Sequence, residues 1–343
     1  MARLAIFIRL AALFSAVTVA AEDGCSAYSI DGPHNATFDF YRFYDFRSAP
    51  ATDEILTGDP AAKNREQPDV LAASRLISNS SWRDDWKVTV KYQGQPNEKA
   101  LARHYVADHV FLDKPGDDTQ LVLYTDRLRN ETQQAGEVYF SESLVDSISL
   151  RVYARISGGP GAVAGFFTYY NDTQETDIEV LTKEEDDRVQ FSNQPTENQT
   201  TWTTIPGSTH NETRSGSYRD WTVYRLDWLR EQGLTAWYVD GKLMKTSEMN
   251  VPVTPSTVYI NMWSNGGSFS GRMDYNTNAT LEIGWIQMAF NASGVEAETD
   301  REDGPRSVCS IEDGKAEPTS SGVKKGVVPL LWTLSLVVII SIL

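Results

Sequence analysis

Cysteine is nearly absent from this 343-residue chain: there are two, Cys25 and Cys309, and histidine is limited to His34, His104, His109 and His210. None of the histidines stands at metal-ligand spacing from a Cys or Asp, and neither a G-x-S-x-G nucleophile turn nor a glycine-rich phosphate loop occurs. Ester hydrolysis and nucleotide chemistry therefore have no support, and neither a metal nor a cofactor is expected. Positive charge is also scarce. Lys and Arg number 31 against 47 Asp and Glu, for a formal net charge of −16. That balance excludes a nucleic-acid partner, which needs a basic surface, and docking on anionic lipid. Internal repeats are missing, and no long segment between the termini carries a helical period.

The ends carry what the middle lacks, long apolar runs. Residues 1–21 open with Arg3, continue apolar from Leu4 to Val19 and close on Ala20-Ala21, the order of a secretory signal peptide. Residues 321–343 end in an apolar run from Gly326 to Leu343 behind Lys324 and Lys325, with the small residues Pro318 to Gly322 before the lysines, the order of a glycolipid-anchor (GPI) signal. Both segments are expected to be removed, leaving a secreted, surface-held protein whose only membrane contact is its lipid. Removing them also takes away Arg3, Arg9, Lys324 and Lys325, so the mature chain is more acidic still. In that compartment a lone pair of cysteines reads as one disulfide, Cys25 to Cys309, closing the domain from end to end. Sequons at Asn35, Asn79, Asn130, Asn171, Asn198, Asn211, Asn278 and Asn291 fit the same route.

Between the ends, short runs rich in Val, Ile, Tyr, Phe, Trp and Thr are split by Gly, Asn and Asp. Strands are expected at 86–92, 110–112, 120–125, 137–140, 148–156, 162–170, 175–181, 188–191, 221–228, 234–239, 258–263 and 281–290. An aromatic alternation at 38–46 adds an extended segment, 194–217 reads as a long loop, and Asp240-Gly241 is placed for a hairpin turn. Many strands at hairpin spacing without helices between them imply an all-β protein, a jelly-roll sandwich of two antiparallel sheets. The expected organisation is a sandwich domain over 22–295, a linker over 296–320 that includes Cys309, and the terminal signal. The protein is expected to be a monomer.

The chemistry concentrates in Glu175-Thr176-Asp177-Ile178-Glu179-Val180. Strand alternation puts Glu175, Asp177 and Glu179 on one face and Thr176, Ile178 and Val180 on the other. Stability gives no reason to gather three like charges, so the cluster points to function. Alpha carbons four residues apart on a strand lie about 13 Å apart. Two leaning Glu side chains can close their carboxyls to the roughly 5–5.5 Å of a retaining glycosidase.

This strand resembles the E-x-D-x-E catalytic strand of glycoside hydrolase family 16, and of its members the fungal GPI-anchored type. The resemblance extends to Tyr224 through Trp228, then Ala236 to Lys242 with its Tyr-Val-Asp-Gly turn. It continues through Tyr259-Ile260-Asn261-Met262-Trp263, the following Gly266-Gly267, and Trp285. It implies a concanavalin A-like sandwich and a retaining endo-glycosidase or transglycosylase acting on β-linked glucan or related wall polysaccharide. On that resemblance Glu175 is the nucleophile, Glu179 the acid/base and Asp177 the assisting residue. Asn261 and Trp263 fall on the family's cleft strand, and Tyr169, Tyr170, Trp202, Trp221 and Phe269 are further candidates for sugar contact. The competing reading is a catalytically inactive, lectin-like carbohydrate-binding surface protein.

Overall fold

A computed structural model describes residues 25–47, 80–128, 132–295 and 307–312. The expected signal segments, 1–21 and 321–343, lie outside the described residues, as do the sequon asparagines Asn79 and Asn130.

In chain order the strands begin with β1 (Ala27–Ile30), β2 (Ala36–Phe38) and β3 (Phe40–Asp45), followed by a short helix, α1 (Ser80–Asp85). Next come β4 (Trp86–Val88), β5 (Lys91–Gln93), β6 (Ala102–Tyr105), β7 (Val110–Asp113), β8 (Gln120–Arg127), β9 (Thr132–Phe140) and β10 (Val145–Gly158). The middle of the chain holds β11 (Val163–Asn171), β12 (Gln174–Leu181), β13 (Arg188–Asn193) and β14 (Thr209–Thr213). The chain closes with β15 (Thr222–Leu229), β16 (Leu234–Val239), β17 (Lys242–Ser247), β18 (Thr257–Trp263), β19 (Asn278–Ala292) and β20 (Val308–Ser310).

The front sheet runs β14-β13-β12-β11-β18-β9-β4, antiparallel throughout. The back sheet runs β17-β16-β15-β10-β19, and β19 then pairs with β8 along its first half and β3 along its second. This is the expected jelly-roll sandwich. Its core lies between the sheets, where alternate residues such as Phe166, Ile178, Val180 and Ile260 from the front meet Val152, Leu226, Trp237 and Ile286 from the back.

The sheets share one strand. The first half of β9 pairs with β8 and, in parallel, with β6, and its second half pairs with β18 and β4 in the front sheet. Gly136 stands at the switch, where a Cβ would collide with the His109 backbone carbonyl.

A small third sheet, β2-β1-β20, lies on the outer face of the back sheet and buries Tyr28, Ile30, Phe38 and Ile311 against Tyr41, Leu229 and Ala289. Here the disulfide between Cys25 and Cys309 forms, with Cα atoms 5.6 Å apart. Residues 307–312 are thus part of the folded domain, although the sequence reads as linker there. They are held by the disulfide, by pairing of β20 with β1, and by Glu312 bridging Arg151 and Arg225. The loop expected over 194–217 contains β14, whose polar, alternating sequence Thr-His-Asn-Glu-Thr carries no apolar signal.

Candidate active site

Strand β12 divides its side chains as its sequence dictates. Thr176, Ile178 and Val180 are fully buried against the core, so Glu175, Asp177 and Glu179 are turned to the outer face of the front sheet. An outer face is ordinarily wet, yet Asp177 is only 3% exposed and the two glutamates are half-buried. The triplet therefore sits on a recessed floor. Strand β13 supplies its polar partners. Ser192, opposite Asp177, donates its hydroxyl to Asp177 Oδ2 at 3.0 Å, and Gln190, opposite Glu179, reaches Glu179 Oε2 at 3.4 Å. Gln194 also hydrogen-bonds Asp177, and Glu175 and Asp177 bond each other.

That last bond requires a proton, because two carboxylates cannot share one without it. Burial pushes the Glu175 carboxyl far above the ordinary range, and the neighbouring charges of Asp177 and Glu179 push it further. Burial and Asp177 do the same to Glu179. Asp177 is also raised by burial, but its bonds from Glu175, Ser192 and Gln194 hold it to about 6. Protons are thus shared within a cluster that cannot ionise fully at neutral pH. A carboxyl kept protonated beside one that can give up its charge is the division of labour that acid-assisted glycoside cleavage needs.

The floor continues across the sheet in register. The row through Glu179 reads Gly165, Asn261, Glu137, on β11, β18 and β9. Asn261 is 4% exposed and donates to Glu137 Oε2 at 3.0 Å, while its carboxamide oxygen is buried without a partner. That oxygen would lie 2.6 Å from a Cβ at Gly165, so only glycine leaves it room. Glu137, 8% exposed, has its pKa raised by burial despite the bond from Asn261. The adjacent row, through Asp177, is aromatic: Phe167 stacks on Tyr259 at 5.3 Å, and Tyr259 meets Tyr139 at 5.9 Å. Trp263, two residues beyond Asn261 on the same face, stacks with Phe269 at 6.2 Å and carries the Arg103 guanidinium 4.5 Å over its ring.

Of the candidates on β18, Asn261 lies in the row through Glu179, two strands from it, and Trp263 lies two residues further along the same face. Three other candidates lie elsewhere. Tyr170 follows a register shift at the end of β11 and is 57% exposed, and the residue directly across from Glu175 is Tyr169. Trp202 stands on the loop between β13 and β14, 75% exposed. Trp221 precedes β15 and stacks on Tyr153, on the outer face of the back sheet, on the far side of the core from Glu175. Glu137, Gly165 and Arg103 were not singled out from sequence, whereas Tyr169 was an aromatic candidate and Tyr259 belongs to the β18 motif. The strand bearing Glu137 was expected, but its pairing with β18 was not readable.

The sequence profile of glycosyl hydrolases family 16 matches residues 102–287, more than half of the chain and the whole of the floor just described. The chain belongs to glycosyl hydrolase family 16. It is similar to the β-glucanase of Paenibacillus polymyxa, 31% identical over 140 residues that make up 38% of this chain and 54% of that protein. The β-glucanase of Bacillus licheniformis is 29% identical over 136 residues, 37% of this chain and 51% of that one. The chain therefore spans about half the length of the curated relatives it matches. Among solved structures, a prokaryotic β-1,3-1,4-glucanase (lichenase) from a mouse hindgut metagenome superposes with a TM-score of 0.50 at 17% identity, covering 74% of this family 16 chain and 99% of its own, a likeness of fold.

Proposed function

We propose that this family 16 protein is a secreted, surface-anchored retaining endo-glycosidase or transglycosylase acting on β-linked glucan. The observation that carries the reading is the recessed triplet of β12, in which Glu175 and Asp177 share a hydrogen bond and Glu179 stands on the same face. Family membership and the names of the curated relatives supply the substrate class. The apolar segments at 1–21 and 321–343 supply the route and the lipid tether.

Glu175 attacks the anomeric carbon while Glu179 gives its proton to the glycosidic oxygen, so the carbon–oxygen bond breaks as the glycosyl–Glu175 ester forms. Glu179, now ionised, takes a proton from water or from a sugar hydroxyl. The resulting oxygen attacks the same carbon and releases Glu175 as a carboxylate. Asp177 is a positioning residue. It takes the shared proton from Glu175 as that carboxyl attacks and returns it once the ester is released, and Ser192 holds it in place.

The full chain and Glu175→Gln are to be incubated with mixed-linkage β-glucan, laminarin and xyloglucan, with the anomer of the first product read by NMR. Turnover with retained configuration, reduced by at least about 10³-fold in the variant, is expected. Binding without turnover in both proteins would replace the enzyme by a lectin.

A further inference from the structure

Guanidinium groups in this chain commonly answer a carboxylate. Arg42 reaches Asp85 at 3.3 Å, Arg155 reaches Glu282 at 2.5 Å and Arg225 reaches Asp227 at 2.8 Å. Such partners are easy to find where 47 acidic residues stand against 31 basic ones. Arg103, on β6, is different. Among the described residues its guanidinium has no carboxylate within ion-pair distance and no hydrogen-bond acceptor. What it touches are rings. Its central carbon lies 4.5 Å over Trp263 and 5.8 Å over Tyr105, and the side chain is half-buried.

Its place in the fold gives that isolation a direction. Strand β6 runs in parallel beside the first half of β9, whose second half carries Glu137 into the front sheet. Arg103 thereby reaches the outer floor, over Trp263 and within electrostatic range of Glu137. Trp263 is in register with Val163 on β11 and, through it, with Leu181 on β12, two residues past Glu179. The guanidinium therefore sits beyond the acid/base end of the carboxylate strand, roughly 10 Å away across the sheet.

Attraction of a cation to a ring uses its charge and leaves most of a guanidinium's N–H donors free. Holding such a group half out of water without acceptors costs free energy, and oxygen atoms arriving from outside would recover it. The indole meanwhile fixes where the donors stand, so little order is lost when they bind. The overall charge of −16 disfavours a polyanion at this face. The hydroxyl and ring oxygens of a sugar accept hydrogen bonds without bringing charge. We propose that Arg103 is a specificity-determining residue of the floor, donating its N–H groups to oxygens of a neutral sugar residue remote from the bond that is cut. Trp263, with one face taken by the cation, is the positioning residue that holds Arg103 there. The proposal rests on the glucan reading above and names the anchor that sets how the chain lies across the carboxylates.

The test uses the full chain in the Glu175→Gln background, so that no bond is cut. Mixed-linkage β-glucan oligosaccharides of increasing length are titrated by calorimetry. Arg103→Ala is expected to weaken binding of the longer oligosaccharides about tenfold or more, the size of a lost hydrogen bond to a charged donor. The loss should grow with oligosaccharide length, which a purely structural role would not produce. Arg103→Lys keeps the charge without the planar fork and should recover only part of the affinity. In the active protein both substitutions should raise KM more than they lower kcat, because a contact far from the reacting carbon is made alike in ground and transition states. Unchanged affinity at every length overturns the inference, whatever happens to Tm, because Arg103 would then only pack on Trp263. A carboxymethylated oligosaccharide that binds more tightly than its neutral counterpart, and loses that advantage in Arg103→Ala, overturns the neutral sugar. If Arg103→Ala fails to fold, Arg103→Lys decides alone, with an affinity equal to the parent's counting against the inference. Failure of the glucan reading is distinct: the parent then binds none of these oligosaccharides, and the protein with Glu175 intact cuts none, whereas binding indifferent to Arg103 removes only the contact.

Discussion

Replacing Gly165 by alanine probes the floor at its tightest point. The new methyl would stand 2.6 Å from Asn261 Oδ1, about an ångström inside ordinary contact, with the Phe167 ring at 3.5 Å on another side. Asn261 must therefore move, and its donation to Glu137 at 3.0 Å is the bond that yields. Overpacking costs about 1–3 kcal/mol. Leaving the buried Glu137 carboxyl short of a partner adds about 1–2 kcal/mol. The sum, about 2–5 kcal/mol, lowers Tm by roughly 4–20 °C for a domain of this size. Glu179 lies directly across from Gly165, so kcat/KM should also fall, by about tenfold or more for a displaced acid/base. The decisive assay is a double-mutant cycle by thermal unfolding and initial rates. Asn261→Ala removes the obstructing oxygen, so Gly165→Ala should cost little more in that background, a coupling of about 1–3 kcal/mol. Additive effects would refute the reasoning, because the penalty would then belong to the glycine backbone rather than to the contact.

Glu137 has a folded-state pKa above its unfolded value, so it contributes stability that is fully present below about pH 4.5 and is lost as pH rises through the raised value. Glu137→Gln should therefore flatten the decline in Tm between pH 5 and 8, and an unchanged slope would count against a buried, protonated Glu137. Removing the Ser192 hydroxyl takes away one bond that holds the Asp177 pKa down. Ser192→Ala should move the acidic limb of the kcat/KM profile to higher pH with little change in KM, and a parallel fall at all pH values would make Ser192 merely structural. Breaking the disulfide by Cys25→Ser with Cys309→Ser should cost about 2–5 kcal/mol, read as a lower urea midpoint. An unchanged midpoint would mean that Glu312 and the β1–β20 pairing hold the small sheet unaided.

What could be read from sequence was whatever one strand states by itself. Alternation in β12 gave the face of Glu175, Asp177 and Glu179, and β-branched and aromatic runs gave most of the strands of both sheets. Pairing between distant strands is not written locally. Glu137 and Asn261 are 124 residues apart and meet only because β9 and β18 are neighbours. Tyr170 and Trp221 were candidates because sugar subsites need flat aromatic platforms. Tyr169, not Tyr170, is the residue paired with Glu175, so strand alternation takes the first out of phase, and the sheet assignment of β15 put the second on the opposite side of the core. Strand β20 escaped because its surroundings are acidic and poor in apolar residues, and long-range contacts rather than propensity hold it.

The passage of β9 from one sheet into the other has a consequence for how this protein meets a polymer. A strand bonded into both layers pins them together, so the front sheet cannot slide over the back sheet and its outer floor keeps one curvature. Selectivity among linkages is then set by a fixed mould, its side chains and rim loops, and capture should follow a single bimolecular phase without a slow closing step.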